Sequence, residues 1–207
     1  MLASLNLTAF LDEVASQSPA PGGGSVAALS AALGTALTSM VCRLTLGKKK
    51  YAGVQKEIEA ILAQSEELRK QCLRSVDEDT AAFQEVMTAY ALPKDTAEHQ
   101  AARTAAIQSA LKNATRIPLQ VLTCCAEGIV YAQTVAVKGN KNSMSDAGVA
   151  VLMLRAAGEG AALNIKTNLD ALEDKEFAGQ VARQTNGLLE RIRTISDDGG
   201  NQLFTGS

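Results

Sequence analysis

The sequence has few aromatic residues and a single histidine. Of its 207 residues, 3% are aromatic and none is tryptophan. Strands favour aromatic and β-branched residues, so this composition indicates a helical protein with a core of Ala, Leu, Val and Ile. With His99 as the one histidine, a multi-histidine metal site is excluded, and a Ser-His-Asp triad would have to use that residue. We therefore expect any acid–base chemistry to use carboxylates, lysines or tyrosine.

Strong net charge and paired cysteine motifs are also missing. A formal net charge of −2 gives no basic surface of the kind that binds nucleic acids. The four cysteines show no C-x-x-C spacing, so the pattern predicts neither a zinc site nor a disulfide framework. The opening residues, MLASLNLTAF, lack the basic start and apolar core of a signal peptide. We predict a cytoplasmic protein with reduced thiols and no nucleic-acid or membrane partner.

Helical periodicity runs along nearly the whole chain. No strand pattern and no long linker interrupts it, so residues 1–207 are predicted to form one all-α domain, a bundle of about six or seven helices with a tail that frays from about residue 197. The predicted helices cover residues 8–16, 25–46, 53–90, 95–138, 146–168 and a last segment capped by Asp174. Pro118 is expected to kink or divide the fourth helix, and Asp95 with Glu98 resembles its capping box.

The third predicted helix has a charged residue at a core position. Its apolar stripe, spaced by three and four residues, consists of Val54, Ile58, Ile61, Ser65, Leu68, Cys72, Val76, Asp79, Phe83, Val86 and Tyr90. An unpaired charge in that stripe would cost free energy, so Asp79 must pair with a cation, raise its pKa or face a cavity. Asp79 is therefore a candidate site residue, with a structural ion pair as the alternative.

A glycine-rich segment, PGGGS at 21–25, precedes the second predicted helix. It has neither the G-x-G-x-x-G spacing of a dinucleotide-binding loop nor the Lys-Ser/Thr of a Walker A loop. The uncharged run that follows it, 25–42, is barely long enough to span a bilayer and is rich in small residues, which favours a buried helix. Residues without a Cβ atom let a ligand approach the N–H groups of a helix N-terminus. Gly22, Gly23, Gly24 and Ser25 are thus candidate binding residues, with a plain loop as the alternative.

Two other regions concentrate polar residues. The segment GKKKY contains Lys48, Lys49, Lys50 and Tyr51, which either complement a helix dipole or form an anion site. In KGNKNSMSD, helix capping explains Ser145 and Asp146, whereas Asn140 and Asn142 have no such explanation beyond suiting a turn. Farther along, Asn164 and Asn168 lie one turn apart on the same helix face, where amides either contact a planar heterocycle or bridge helices.

These motifs, in this order, resemble the cyclodeaminase/cyclohydrolase family. The resemblance rests on FLDEVASQSPAPGGGSVAALSAALGTALTSMV, LTLGKKKY, VDEDTAAFQEVMTAYALPK, GNKNSMSDAGVAV and AALNIKTNL, and it covers nearly the whole chain. It implies an all-α fold, a homodimer, and a tetrahydrofolate site around the glycine-rich segment near the subunit interface. It also implies that the aspartate of a D-x-x-A-F motif, here Asp79, is catalytic.

The activity implied by the resemblance is hydrolysis of 5,10-methenyltetrahydrofolate to the 10-formyl compound, with no metal or other cofactor. Asp79 is expected to be the catalytic residue, with Asp146 or Lys49 as its proton partner. Expected substrate contacts are the glycine-rich residues Gly22, Gly23, Gly24 and Ser25, the anion-binding Lys48, Lys50 and Tyr51, and the pterin-orienting polar residues Asn140, Asn142, Ser145, Asn164 and Asn168.

Three alternatives stay open from the sequence. A formimidoyltetrahydrofolate cyclodeaminase passes through a similar tetrahedral carbon, so the motifs do not separate it from a cyclohydrolase. A folate-binding module without catalysis would not require a carboxylate in the core stripe. A purely structural bundle leaves the three glycines and the asparagines unexplained.

Overall fold

Six helices make up the fold. The computed structural model describes the backbone of residues 1–205 and the side chains of residues 1–198. The helices are α1 (Leu7–Val14), α2 (Gly23–Thr45), α3 (Gln55–Tyr90), α4 (Ala97–Lys138), α5 (Met144–Asp170) and α6 (Lys175–Thr205), with short 3₁₀ segments at Leu2–Ser4, Lys49–Val54 and Lys141–Ser143. No strand occurs within residues 1–205. The prediction of an all-α bundle is confirmed.

Several predicted helix ends differ from the observed ones. The first helix begins at Leu7 and not at the predicted residue 8, because Asn6 is its N-cap and accepts from the Ala9 N–H. The fourth is capped by Thr96, which accepts from the His99 N–H; Asp95 bonds instead to the His99 ring, so the predicted capping box is wrong. The Asp174 cap is confirmed by its bond from the Phe177 N–H at 3.0 Å.

Other predicted ends shift by a few residues. The second helix begins two residues earlier than predicted and ends at Thr45, before Gly47, whose φ of 75° belongs to the left-handed region. The third begins two residues later, after the 3₁₀ segment. The fifth gains two residues at each end, with Ser143 at the N-cap position and Ala171 at the C-cap position. The tail predicted to fray from about residue 197 belongs to α6 as far as Thr205. The remainder of that prediction, residues 206–207, lies outside the described part.

The α2 helix lies in the centre of the bundle and packs against α3, α4 and α5. Its small residues allow this close packing. Ala28 and Ala31 have no exposed surface, and a Cβ on Gly34 would lie 2.7 Å from Leu154 of α5. The predicted stripe of α3 faces this core from Ile58 to Val86, while Tyr90 at its end is 44% exposed. Small side chains take the place of the missing aromatic residues in the core.

Pro118 lies inside α4 without dividing it. Proline has no N–H, so the carbonyl four residues earlier, on Ala114, loses its helical donor. Asn168 of α5 donates to that carbonyl through Nδ2 at 3.0 Å. Of the two outcomes predicted at Pro118, a kink or a division, division of the helix is wrong. A side chain from a neighbouring helix supplies a donor for the carbonyl that the proline leaves without one.

Three segments are long and apolar enough to cross a membrane by length and composition alone: Gly23–Thr45, Ala97–Lys138 and Lys141–Asp170. In the first of these, 61% of the apolar window is buried inside the bundle. This burial accounts for the uncharged run 25–42 of α2 without a bilayer. The predicted absence of a membrane partner stays a prediction.

Candidate functional site

A cavity of about 280 Å³ opens where α2 begins. Its wall contains Pro19, Ala20, Gly22, Gly23, Gly24, Asp79, Phe83, Val86, Ala114, Asn164, Thr167 and Asn168. The start of α2 and the middle of α3 supply one side, and α4 with the last turns of α5 supplies the other. We call the residues Gly22, Gly23, Gly24, Asp79, Asn164 and Asn168 of this wall, together with the adjacent Ser25, the glycine end.

Asp79 is the charged group of this cavity. No lysine or arginine forms an ion pair with it among the described side chains. Burial raises the pKa of the Asp79 carboxyl above its ordinary value, and hydrogen bonds from the side chain and backbone N–H of Ser25 partly oppose that rise. Asp79 therefore faces a cavity without a cation, and the structural ion pair considered from the sequence is absent from this part of the chain.

The glycines allow the Asp79 carboxyl group to lie against the start of α2. A Cβ on Gly24 would lie 2.7 Å from Asp79 Oδ2, which is closer than a Cβ atom approaches a non-bonded oxygen. The N-cap residue Gly22 has no side chain to bond the first N–H groups of α2, and the Asp79 carboxyl group lies beside Gly24 in this first turn. The positive end of the α2 dipole thus faces the carboxyl group directly.

Asn164 and Asn168 leave acceptor atoms for a ligand. The Nδ2 of Asn164 donates to the Gly160 carbonyl at 2.9 Å, and that of Asn168 donates to the Ala114 carbonyl at 3.0 Å. The Oδ1 atom of each amide has no partner among the described residues. Together with Asp79, they make this cavity rich in acceptors, which favours a ligand with N–H donors or positive charge.

Ser25 lies behind the cavity and does not line it. The side chain has no exposed surface, and its hydroxyl lies 3.0 Å from Asp79 Oδ2. Thr80, which the sequence analysis did not single out, lies 3.2 Å from the same hydroxyl. Only its position next to Asp79 could have indicated it. Thr167 and the Ala114 carbonyl also line or adjoin the cavity without having been predicted. Pro118 could have indicated the Ala114 carbonyl, because a proline leaves the carbonyl four residues earlier without its helical donor.

The other predicted site residues lie at the opposite end of α2. We call Lys48, Lys49, Lys50, Tyr51, Asn140, Asn142, Ser145 and Asp146 the lysine end. The Asn140 N–H donates to Thr45 at the last turn of α2, and the Tyr51 hydroxyl accepts from the Lys141 N–H at 3.1 Å. The three lysines are exposed. Asn140 is 8% exposed and uses its side chain on the Leu44 carbonyl, the Asn142 N–H and Tyr51.

One chain does not bring the two ends together. Gly24 and Thr45 are separated by the length of α2, which is about 30 Å at 1.5 Å per residue. Asp146 and Asn164 are similarly separated along α5. Within a single copy, neither Lys49 nor Asp146 reaches Asp79. The predicted site residues thus form two clusters.

Two cavities larger than the one at the glycine end lie elsewhere on the described part of the chain. One, of about 630 Å³, lies between α5 and α6 and has mainly apolar walls. The other, of about 710 Å³, is an open groove between α3 and α4. Neither is lined by a carboxylate that lies in the core stripe of a helix and has no ion-pair partner. Among the described residues, no group of three His, Cys, Asp or Glu side chains is arranged to hold a metal ion.

Residues 6–187 match the family described as formiminotransferase-cyclodeaminase. The chain belongs to this family. It is 46% identical over 197 residues to a methenyltetrahydrofolate cyclohydrolase of Methylorubrum extorquens, a match covering 95% of each chain. It is 34% identical over 193 residues to a formimidoyltransferase-cyclodeaminase of Rattus norvegicus, covering 93% of this chain and 36% of that protein.

A solved structure agrees with the fold of this formiminotransferase-cyclodeaminase family member. The crystal structure of a formiminotetrahydrofolate cyclodeaminase from Thermotoga maritima superimposes with a TM-score of 0.89 and is 29% identical. The match covers 100% of this chain and 98% of the other. The family predicted from the sequence motifs is confirmed.

Proposed function

We propose that the protein is a methenyltetrahydrofolate cyclohydrolase that converts 5,10-methenyltetrahydrofolate to 10-formyltetrahydrofolate. The observation that carries this proposal is the Asp79 carboxyl group, which lines the glycine-end cavity without a cation beside it. The relative named as a cyclohydrolase, which matches this chain over nearly its full length, supports the same activity.

The charge of the substrate fits this cavity. The methenyl carbon lies between N5 and N10 in a cationic amidine, which an acceptor-rich cavity with a carboxylate stabilises. The free Oδ1 atoms of Asn164 and Asn168 suit the N–H donors of the pterin ring. Gly22, Gly23 and Gly24 have no side chains to keep the ring from the backbone.

Asp79 serves as the general base and then as the general acid. A water oxygen bonds to the methenyl carbon while one of its protons passes to the Asp79 carboxylate. The carbon–N5 bond then breaks, its electron pair goes to N5, and Asp79 returns its proton there. The remaining hydroxyl proton leaves to solvent as the formyl C=O forms. The cation plus water therefore gives the neutral formyl compound and one proton, and Asp79 ends as it began.

A cyclodeaminase activity is the second candidate. It is favoured by the names of the rat and Thermotoga relatives. In that reaction N10 attacks the formimidoyl carbon and ammonia leaves, so the tetrahedral carbon bears an amino group in place of a hydroxyl. The same carboxyl group would protonate the departing nitrogen.

We further propose that the protein is a homodimer whose two copies complete each other's sites. A mainly apolar stripe remains on the outer face of α2, formed by Val26, Ser30, Leu33, Leu37, Met40 and Leu44. Its one polar member, Ser30, donates to the Met153 carbonyl of α5. Of these, Leu33 is 48% exposed and Leu44 is 40% exposed. Next to it, α5 exposes Val149, Leu152 and Leu163. The positions of the α2 stripe are spaced alternately by four and three residues, which is the spacing of helices that pack against each other along their length.

The α2 stripe is suited to contact its own copy. Its positions are symmetric about residue 35, pairing Val26 with Leu44, Ser30 with Met40, and Leu33 with Leu37. A two-fold axis at residue 35 would make the two α2 helices antiparallel. Each residue of one helix would then face its paired residue on the other, such as Val26 against Leu44. The glycine end of one copy then lies beside the lysine end of the other. The exposed lysines would complement the charge of Asp79 and attract the carboxylates of the folate glutamate tail.

The small size of the cavity agrees with a site completed by a second copy. At about 280 Å³, it lies at or below the roughly 300–1,000 Å³ range of pockets that enclose a drug-sized ligand. The glycine end therefore takes the pterin, and the rest of the folate extends toward the partner copy. In this arrangement, Lys49 or Asp146 of the second copy is available as a proton partner for Asp79.

Two assays test the activity. The purified protein is given 5,10-methenyltetrahydrofolate, and the loss of its near-ultraviolet absorbance is followed against the uncatalysed rate. In a parallel reaction, formimidoyltetrahydrofolate is supplied and released ammonia is measured. Faster absorbance loss supports the cyclohydrolase, and ammonia release without it supports the cyclodeaminase. Tight folate binding with neither activity would contradict both and support a non-catalytic binding module.

The proposed reaction requires no metal or other cofactor, since water, the cationic substrate and one carboxyl group account for every bond made and broken. We propose a cytoplasmic location, without nucleic-acid or membrane partners. The absence of a cofactor is testable by assaying the enzyme after dialysis against a chelator, when the rate should be unchanged.

A further inference from the structure

The Ser25 hydroxyl has more hydrogen-bond neighbours than it can donate to at once. Its Oγ lies 2.9 Å from the Val76 carbonyl oxygen, 3.0 Å from Asp79 Oδ2 and 3.2 Å from Thr80 Oγ1. A serine hydroxyl has one proton and two acceptor lone pairs. It therefore donates either to Asp79 or to Val76, and the choice depends on whether Asp79 has a proton to give.

Both protonation states of Asp79 fit the same atomic positions. When Asp79 is ionised, Ser25 donates to Oδ2 and accepts from the Thr80 hydroxyl. When Asp79 is protonated, its O–H donates to Ser25, and the Ser25 proton rotates to the Val76 carbonyl. No heavy atom needs to move in either direction, because all the distances are already within hydrogen-bond range.

We propose that Ser25 is a positioning residue for the reaction, whose hydroxyl rotates between Asp79 and the Val76 carbonyl and holds the carboxyl group in place as it takes up and releases a proton. This inference rests on the proposed function, because it assumes that Asp79 changes protonation during turnover. Ser25 thus acts on the reaction through Asp79, without touching the substrate.

The first test replaces the hydroxyl by a hydrogen atom in Ser25→Ala. The charge-assisted bond to ionised Asp79 is stronger than the neutral bond to the protonated form, so its loss disfavours the ionised form. We expect kcat to fall between about ten- and a hundredfold with little change in KM, and the acid limb of the pH profile to move to higher pH. Ser65→Ala is the matched control.

Ser65 provides a serine of equal burial outside the site. It lies on α3, is 1% exposed, and its hydroxyl has no partner among the described residues. Its replacement should leave kcat and the pH profile unchanged. If Ser25→Ala lowers stability but leaves the acid limb of the pH profile where it was, Ser25 is only structural and the proposal is wrong.

A second readout does not depend on turnover. The ¹³Cγ signal of Asp79, assigned by its loss in Asp79→Asn, is titrated by NMR in the wild-type protein and in Ser25→Ala. The midpoint should move to higher pH in the variant. A wild-type protein without cyclohydrolase activity contradicts the proposed function. An active wild type with an unmoved Asp79 midpoint in Ser25→Ala contradicts the role of Ser25 alone.

Rescue by a hydroxyl completes the test. Ser25→Thr retains the donor and should recover most of the lost kcat, whereas Thr80→Val removes the hydroxyl that donates to Ser25 and should move the acid limb in the same direction by less. Circular dichroism checks that each variant is folded. A folded Ser25→Thr enzyme as slow as Ser25→Ala would overturn the proposal.

Discussion

Asp79 is a carboxyl group whose burial costs free energy in its charged form. Its pKa in the folded chain is raised, mainly by desolvation. The folded state therefore holds the proton more tightly than the unfolded chain. The stability contribution of this group is fully present below the ordinary pKa of an aspartate and is lost as the pH rises through the raised value. At neutral pH, the ionised Asp79 carboxyl group is therefore less favourable in the folded state than in the unfolded chain.

Replacing Asp79 by Asn should separate activity from stability. The variant keeps the shape and an acceptor for the Ser25 hydrogen bonds but lacks the base, so we expect kcat to fall by about 10²- to 10⁴-fold. Because no buried charge remains, the melting temperature at pH 7 should rise. Enzyme kinetics and thermal unfolding by circular dichroism measure the two effects on one preparation.

Asp174 is the matched control for that experiment. The Lys112 ammonium and the Phe177 N–H lower the pKa of its carboxyl group, so its charged form is stabilised in the folded state. Asp174→Asn should therefore lower the melting temperature at pH 7 and leave kcat unchanged. If Asp79→Asn instead lost stability and retained near wild-type turnover, its assignment as the catalytic base would be wrong.

At the scale of the helix, the N-terminus of α2 lies against α3. Gly22 offers no capping side chain, and the Asp79 carboxyl group of α3 lies beside Gly24 and accepts from the Ser25 hydroxyl. The lack of a side chain at Gly24 is what allows this contact, since a Cβ there would meet the carboxyl group. The same contact therefore holds the start of α2 against the Asp79 carboxyl group, which we propose to be catalytic.

A methyl group at Gly24 should displace Asp79. Alanine favours a helix over glycine by about 1 kcal/mol, so Gly24→Ala would stabilise α2 if nothing lay beside it. With Asp79 Oδ2 at 2.7 Å from the new Cβ, we instead expect a loss of kcat of at least about tenfold, together with lower stability. Kinetics and thermal unfolding, compared with Gly187→Ala, check this.

The control position is open. A Cβ on Gly187 of α6 meets no atom within 4 Å. Gly187→Ala should therefore raise the melting temperature through helix propensity and leave turnover unchanged. Equal behaviour of the two variants would mean that the Asp79 carboxyl group is not confined by Gly24.

The helices were predictable from the sequence because their signals are local. The apolar stripe of α3 and the Asp174 cap depend on residues a few positions apart, and both were found. The continuity of α4 was not predictable, because the bond that replaces the Pro118 N–H comes from Asn168, 50 positions along the chain. The role of Asn168 in capping the Ala114 carbonyl was hidden for the same reason.

At the scale of the whole molecule, the sequence indicated the site residues by type but not their separation. The charge in the α3 stripe marked Asp79, and the glycines marked the start of α2. The lysines and Asn140 had the chemistry expected of an anion site. Their distance from Asp79 follows from the length of α2 and from Tyr51 and Asn140 packing at its last turn. Two clusters at opposite ends of one helix serve one substrate only if two copies combine.

Mixing two impaired variants tests that combination. One copy has Asp79→Asn, and the other has Lys48, Lys49 and Lys50 replaced by alanine. If each site uses the glycine end of one copy and the lysine end of the other, a mixed dimer contains one intact site and one with both defects. Half of the dimers are mixed at equilibrium, so the mixture should recover about a quarter of the wild-type kcat/KM. Sites contained within one chain would give only the average of the two variants.

The recovery must depend on the α2 contact. Leu33 is exposed in the single chain, so Leu33→Glu should leave the bundle folded while placing like charges near the proposed two-fold axis. Sedimentation should then show a monomer, and adding Leu33→Glu to both variants should abolish the recovery after mixing. Recovery that persists in the monomeric variants would rule out the shared site, since no second copy would be present to supply the lysines.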